Sequence, residues 1–267
     1  YSDHLLLLQQ AELKEKTIKH LSRYKIGSDV QVEDVSDQFG VISIQGPESF
    51  SFLGKLTGAP LPAIPEYGCF QAKIGSLSVT GMRHSWSGET GLDLLLPADA
   101  FSAVWETFTR EGNAAGIIPA GDQTREILRL EAGAPLYGRE LTEEVLPQEA
   151  GLEKDAISYT KGCYLGQEPI ARLHYLGHTN RSLTGLLLER EIGEEEREIF
   201  SSGKPAGRIT SSGVSAGLKQ PVAIGYVHRQ FLEPGTRLEI ISGDKKIMAT
   251  VAALPLVAQK VKKTEET

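Results

Sequence analysis

The sequence has few cysteines and no long hydrophobic run. Its 267 residues include two cysteines, Cys69 and Cys163, which are far apart in the chain. This usage excludes a disulfide framework, and we expect reduced thiols in a cytoplasmic or other reducing compartment. The apolar run Leu5–Leu8 is far too short to span a bilayer, so no contact with a membrane is predicted.

An excess of basic residues is also missing. Lys and Arg total 28 against 35 Asp and Glu, which gives a formal net charge of -7 and argues against direct nucleic-acid binding. The sequence contains neither a Walker-type phosphate loop nor a Rossmann glycine fingerprint, and no Ser/His/Asp arrangement stands out. The length and the 40% hydrophobic content allow one to three compact units with a sizeable core.

Short strands alternating with helices predict an α+β region up to residue 181. The chain begins at Tyr1 without Met, and Leu5–Leu8 has the pattern of a buried strand, so we expect that an N-terminal portion precedes it. A helix over Ala11–Tyr24 and a half-buried strand over Val30–Val35 follow. The next elements, in the order strand, helix, two strands, helix and strand, are typical of a ferredoxin-like sheet. They are predicted at Gly40–Gly46, Glu48–Leu56, Cys69–Ile74, Leu77–Met82, Leu92–Leu96 and a helix running from Pro97 through Phe108.

From Ser182 onward no helical period remains. Short strands separated by Gly, Pro and charged turns predict an all-β module, either a small barrel or a jelly-roll-like sandwich. The strands are predicted at Leu183–Leu188, Ala206–Thr210, Val222–Val227, Thr236–Ile241 and Lys246–Ala253. We therefore divide the chain into residues 1–32 (the remainder of an α+β unit), 33–181, 182–258 and a charged tail at 259–267.

Residues 161–168, Lys-Gly-Cys-Tyr-Leu-Gly-Gln-Glu, concentrate reactive groups in eight positions. Gly162 and Gly166 allow a bend, and Pro169 suits the first turn of a helix. Cys163 is therefore predicted just ahead of a helix N-terminus, where the partial positive charge and nearby Lys161 favour the thiolate. The alternative is a small buried cysteine with a structural role.

A metal site in this region has little support. His174 and His178 have helical i, i+4 spacing and could share a face with Cys163 upstream. Gly177 between them weakens the helix, and no fourth ligand is evident, so no metal is expected. Glu89 and Asp93 flank a turn and a strand, and solvent exposure accounts for both.

The octapeptide resembles the signature of the YgfZ family of folate-binding proteins, relatives of the glycine-cleavage T-protein. Further segments resemble this superfamily in order along the chain. They are Gly40–Pro47, Ser87–Gly91, Arg129–Gly138, Ile209–Ser212, Ile224–Val227 and Leu254–Val257. The resemblance implies a T-protein-like α+β fold, with two ferredoxin-like units and a C-terminal β-barrel around a central cavity.

The resemblance also implies a function. It predicts a tetrahydrofolate-binding protein that assists the assembly or repair of iron–sulfur cluster proteins, with iron–sulfur proteins or assembly factors as partners. Cys163 would be the reactive group, and Lys161 would hold its thiolate or contact the anionic tail of the folate.

The same resemblance assigns cofactor-binding residues. Glu131 lies in the segment that binds the pterin, whose N–H edge suits two parallel hydrogen bonds to one carboxylate, and Tyr137 belongs to the same segment. Arg172 and Arg181 are candidates for the glutamyl tail, because a guanidinium pairs well with a carboxylate. Gln167 of the octapeptide completes the predicted set.

One position departs from the aminomethyltransferase pattern. Thr17 falls where the transferases have the aspartate associated with catalysis, and a hydroxyl cannot act as a carboxylate base. A folate-dependent aminomethyltransferase of the glycine-cleavage type is therefore the alternative function, and a non-enzymatic scaffold with the same fold is the third.

Overall fold

The computed structural model describes residues 3–193, 195–242 and 245–258. An α+β region precedes a closed six-stranded barrel. The helices are α1 Lys14–Tyr24, α2 Ser49–Thr57, α3 Phe101–Ala114, α4 Asp122–Ala132, α5 Glu153–Ala156 and α6 Gln167–Leu176. The strands are β1 Phe39–Gln45, β2 Cys69–Ile74, β3 Leu77–Arg83, β4 Gly91–Pro97, β5 Arg181–Leu188, β6 Glu198–Ser201, β7 Lys204–Ser215, β8 Gln220–His228, β9 Arg237–Ser242 and β10 Lys245–Ala252. The charged tail predicted at 259–267 lies outside the described residues.

The first four strands form one antiparallel sheet in the order β1–β4–β3–β2. The strands and helices predicted over residues 40–108 are confirmed at their positions. They follow one another as strand, helix, three strands and helix, so the order of two strands, helix and strand stated for a ferredoxin-like sheet is wrong for this segment. Leu92, Leu94 and Leu96 of β4 alternate along the strand and pack with α2 and α3 in one core. Strand β4 pairs with β1 on one side and with β3 on the other, and Asp93 and Leu95, which alternate with these leucines, are buried on the opposite face.

The second region is a barrel in the order β10–β5–β8–β7–β6–β9. It confirms the predicted all-β module and adds β6, for which no strand was predicted. Helix α4 packs on the outside of the barrel through Leu130, which is fully buried against Val222 and Ile224. The helix ends at Gly133, whose φ of 73° gives the left-handed conformation of a helix C-terminus.

Two strands predicted near the N-terminus are wrong. Residues 5–8 and 30–35 have no strand partner in the described structure. Leu5 and Leu7 are 87% and 63% exposed, so the run is not buried. The helix predicted over Ala11–Tyr24 is confirmed as a short 3-10 turn followed by α1. Periodicity alone cannot supply the neighbouring strand that a β-strand needs for its hydrogen bonds.

Across the described residues, we find no helix with the length and apolar character needed to cross a membrane.

Candidate functional site

Glu131 lies near the end of α4, where the helix meets the barrel, and only 7% of it is exposed. Its carboxylate Oε1 accepts hydrogen bonds from Ser215 Oγ at 2.6 Å and from the backbone N–H of Gly217 at 3.0 Å. Its backbone carbonyl accepts from the N–H of Leu256 at 2.8 Å. Oε2 has no hydrogen-bond partner among the described residues. The barrel therefore fixes the carboxylate through one oxygen, and the other is left for a further donor.

A buried charge network holds this end of α4. Arg129 is 5% exposed, and its guanidinium donates to Glu140 at 3.0 Å, to Ser211 Oγ at 3.0 Å and to Glu126 at 2.6 Å. Burial acts to lower the pKa of Arg129, but the two carboxylates outweigh it and raise that pKa. Glu140 is fully buried, although it belongs to an acidic segment, residues 139–150, with the composition of a surface loop. Because Arg129 and Glu140 are both buried and hydrogen-bonded, the network orients the helix that carries Glu131.

Helix α1 contacts the segment after α4 through Lys16. Lys16 Nζ donates to the phenol oxygen of Tyr137 at 2.7 Å and forms an ion pair with Glu143. The next residue is Thr17, whose hydroxyl donates to Gln9 Oε1 at 2.5 Å. The structure therefore joins Tyr137 to α1 through Lys16, the residue before Thr17. Thr17 presents a neutral hydroxyl that is already engaged.

Cys163 is exposed and lies four residues before the start of α6. Gly166 has a φ of 85°, which gives the bend predicted before the helix. The backbone N–H of Tyr164 donates to Gln167 Oε1 at 3.1 Å, so Gln167 ties the loop to the first turn of the helix. Lys161 Nζ lies 4.8 Å from the centroid of the Tyr164 ring. The loop has the predicted course, and the thiol is open to solvent.

A small cleft of about 180 Å³ lies beside this loop. Lys161 and Gln167, which were both predicted as site residues, line it together with three tyrosine rings. The rest of the lining is Ser158, Glu168 and Ala171, and the three tyrosines are Tyr159, Tyr164 and Tyr175. Aromatic walls next to an ammonium suit a flat or anionic group.

The two predicted guanidinium sites differ in their surroundings. Arg172 on α6 is exposed and has no ion-pair partner among the described residues. Arg181 at the start of β5 donates to Glu149 through Nε at 3.1 Å, and its guanidinium lies 5.0 Å from the Tyr226 ring centroid. Arg181 therefore links the segment before α5 to the barrel, and Arg172 is the guanidinium that remains available for an anion.

The predicted i, i+4 histidine pair does not form on one helix. Helix α6 ends at Leu176, so His178 lies outside it. His174 stacks on Tyr159 with ring centroids 3.8 Å apart, and both side chains bond to Glu153 Oε1, at 2.8 and 2.7 Å. Among residues 3–193, 195–242 and 245–258, no group of three or more His, Cys, Asp or Glu side chains could hold a metal ion.

The expectation that Asp93 is exposed is wrong. Asp93 is 9% exposed, because it lies on the central strand β4, and it pairs with His84 at 2.7 Å. Sequence reasoning missed this pair and also the buried carboxylate of Glu140. The continuous apolar run around Asp93 was the available signal, since the flanking leucines predict a strand buried on both faces.

The geometry agrees with two family matches. Residues 1–161 match the GCVT N-terminal domain, and residues 181–257 match the glycine cleavage T-protein C-terminal barrel domain. The junction between the matched segments contains α6 and most of the octapeptide. The second match coincides with the closed barrel.

Individual proteins show the same similarity. The chain is 35% identical over 226 residues to an aminomethyltransferase of Saccharopolyspora erythraea, covering 84% of this chain and 61% of that protein. It is 29% identical over 266 residues to an aminomethyltransferase of a Thermoanaerobacter species, covering 98% of this chain and 72% of the relative. The crystal structure of the glycine cleavage system aminomethyltransferase T from Bartonella henselae matches with a TM-score of 0.79 and 25% identity, covering 93% of this chain and 67% of that one.

The chain thus spans about three fifths of the length of the first of these relatives. The matches do not separate the YgfZ family from the aminomethyltransferases. They do agree with the closed barrel, which lies within residues 181–257. The chain belongs to the glycine cleavage T-protein superfamily.

Proposed function

We propose that this chain binds a tetrahydrofolate and takes part in one-carbon transfer of the aminomethyltransferase class. The observation that carries the proposal is Glu131, a buried carboxylate held through one oxygen at the contact between α4 and the barrel. The names of the relatives support the reaction class.

Glu131 would recognise the N–H edge of the pterin. Because Oε1 already accepts two hydrogen bonds from the barrel, we assign the main contact with the ligand to Oε2, in place of the symmetrical two-oxygen pairing expected from the sequence. A fixed, largely buried carboxylate binds a donor strongly, because its orientation is set before the ligand arrives. Tyr137 would contact the ligand from the segment after α4.

The anionic tail of the folate would lie toward Lys161 and Arg172. Both are exposed cations close to or on α6, and Lys161 lines the small cleft with Gln167. Arg181 would act indirectly, because its guanidinium is committed to Glu149.

A second candidate function is assistance to iron–sulfur protein assembly or repair, as in the YgfZ family. Two observations favour it. Thr17 provides no carboxylate at the transferase position, and Cys163 is exposed in a loop with the family's octapeptide. In this case the folate site is the same, and Cys163 with Lys161 supplies the reactive group. A scaffold without folate binding is the third candidate.

Calorimetric titration of tetrahydrofolate tests the shared part of these proposals. We expect wild-type chain to bind and Glu131→Gln to bind 10- to 100-fold more weakly, since a hydrogen bond to a charged group contributes about 1.5–3 kcal/mol. Cys163→Ala is expected to bind like wild type, and Cys69→Ala is its matched control. Absence of binding by the wild-type chain at high micromolar ligand would contradict both folate proposals and favour the scaffold.

Two activity assays then separate the candidates. Transfer to tetrahydrofolate from an aminomethyl donor supports the first, and no turnover by a chain that binds folate excludes it. Complementation of a strain defective in iron–sulfur enzymes tests the second. Loss of complementation in Cys163→Ala, but not in Cys69→Ala, would support a reactive thiol, and full activity of Cys163→Ala would refute it.

A further inference from the structure

The hairpin turn between β7 and β8 contacts the carboxylate of Glu131. Ser215 is the last residue of β7 and pairs with Gln220, the first residue of β8, so residues 216–219 form the turn. Ser215 is fully buried, and its Oγ donates to Glu131 Oε1 at 2.6 Å. One buried hydroxyl therefore links the barrel to the side chain that carries the proposed folate contact.

The same hydroxyl also accepts a hydrogen bond. The backbone N–H of Leu218 donates to Ser215 Oγ at 2.9 Å, which closes the turn. A serine hydroxyl has a single proton and an ionised carboxylate can only accept, so this proton is directed at Oε1 of Glu131. Leu218 packs with the apolar cluster between α4 and the barrel. The two hydrogen bonds together fix the orientation of the hydroxyl.

Gly217 supplies the second donor to the same oxygen. Its backbone N–H donates to Glu131 Oε1 at 3.0 Å. A Cβ at this position would lie 3.0 Å from Cγ2 of Val257 and 3.4 Å from Oε1. The missing side chain therefore lets the backbone of the turn approach the carboxylate closely. The turn holds one carboxylate oxygen through two donors that are two residues apart.

The turn does not need a buried carboxylate for its own stability. The bond from Leu218 to Ser215 and the packing of Leu218 close it without a charge. Taking a carboxylate out of water is unfavourable, and an apolar side chain at position 131 would avoid that cost. Oε2 has no partner among the described residues, but it is not one of their fully buried unpartnered oxygens and so keeps contact with solvent. A carboxylate held on one side and open on the other is typical of a ligand-binding group.

We propose that Ser215 is the positioning residue for recognition of the pterin by Glu131. This inference rests on the proposed function. A carboxylate with one donor can still turn about its terminal C–C bond, whereas Ser215 and Gly217 hold Oε1 together. Oε2 is then presented in one direction before the ligand arrives, which lowers the cost of ordering it on binding. Ser215 acts through Glu131, because its only proton is engaged by Oε1.

Calorimetric titration of tetrahydrofolate into single and double variants tests the proposal. Ser215→Ala removes the hydroxyl with little change in volume, and we expect about 5- to 10-fold weaker binding than wild type. In the Glu131→Ala background, the same change should alter the affinity by less than about twofold, because no carboxylate is left to orient. Positioning therefore predicts a strongly non-additive pair of substitutions.

A second buried hydroxyl of the barrel provides the matched control. Thr184 is buried, and its hydroxyl donates to the backbone carbonyl of Ala252 at 3.0 Å. Thr184→Val removes this hydroxyl, and the affinity is expected to stay within about twofold of the parent in both backgrounds. Thermal unfolding shows which variants are folded and how much stability each has lost. A loss of affinity that merely follows barrel stability would therefore be seen at Thr184 as well.

The conservative variant Ser215→Thr gives a separate readout. It keeps the hydroxyl, so its affinity for tetrahydrofolate should stay within about threefold of wild type. The added methyl group in a fully buried position is expected to lower the melting temperature. Affinity and stability should thus change independently, which a purely structural role does not allow.

The outcomes distinguish this inference from the proposed function. Wild-type affinity of Ser215→Ala, or an equal loss with and without Glu131, overturns the positioning role and leaves folate binding standing. A folded Ser215→Thr that binds no better than Ser215→Ala also overturns it. Undiminished binding by Glu131→Ala overturns the role of Glu131 and, with it, this inference. Absence of binding by the wild-type chain overturns both proposals.

Discussion

Helices α4 and α6 both carry site residues predicted from the sequence motifs, but they differ in burial. Helix α4 buries Arg129, Leu130 and Glu131 against the barrel, and each charged side chain there has fixed partners. Helix α6 has no buried residue, and Leu176 at its end is 84% exposed. Helix α4 therefore holds its charged side chains in fixed positions, whereas the side chains of α6 are accessible to solvent.

This difference in burial suits the two regions to different functions. A buried carboxylate with fixed geometry suits recognition of a small ligand, because little reorganisation is needed on binding. An exposed loop with Cys163 suits encounter with a second molecule, since the thiol can be reached without opening the fold. The proposals for folate recognition and for a reactive thiol therefore fall on different regions of the chain.

The largest effect is expected from breaking the charge network of α4. Arg129→Met should lower the free energy of unfolding by about 3–5 kcal/mol, because it leaves the buried carboxylate of Glu140 without its cation. Denaturant unfolding measures this change. Arg125→Met is the control on the same helix, where an exposed ion pair contributes at most about 1 kcal/mol. Equal losses in the two variants would contradict the network.

A pair of leucines compares the two helices directly. Leu130→Ala should cost about 2–5 kcal/mol of unfolding free energy, because it opens a cavity between α4 and the barrel. Leu176→Ala removes the same atoms from an exposed position on α6, and a change below about 0.5 kcal/mol is expected. A large loss at Leu176 would show that a contact covers α6 in solution.

A smaller effect concerns the pH dependence of stability. Asp93 raises the pKa of His84 in the folded chain, so the pair stabilises the fold fully below the unfolded pKa of about 6.5. That contribution is lost as the pH rises through the higher folded pKa. The difference in unfolding free energy between wild type and His84→Gln should therefore decrease from pH 6 to pH 9. A constant difference would argue against coupling between His84 and Asp93.

The smallest effect on stability is expected at Cys163. Cys163→Ala should change the unfolding free energy by less than about 0.5 kcal/mol, because the side chain is exposed. A thiol reagent should label Cys163 and Cys69 in the native chain without unfolding, and single variants assign each rate. Labelling of Cys163 only above the unfolding transition would contradict an accessible loop.

Local sequence patterns predicted many of the helices and strands correctly. The run of alternating leucines predicted β4, and Gly166 with Pro169 predicted the start of α6. Residues 5–8 and 30–35 failed because their patterns fit strands that have no partner here. A strand is stable only when another segment supplies its hydrogen bonds, and periodicity does not report that partner.

The sequence by itself determined which chemical groups are present, their order and the family to which the motifs point. Only the tertiary structure decided which of the charged groups are buried and paired. Glu140 and Asp93 are of residue types that usually lie on the surface, yet Glu140 accepts a hydrogen bond from Ser211, 71 residues away along the chain, and Asp93 pairs with His84 next to the neighbouring strand β3. Burial and pairing depend on contacts between distant segments, so the local sequence around a carboxylate cannot reveal its role.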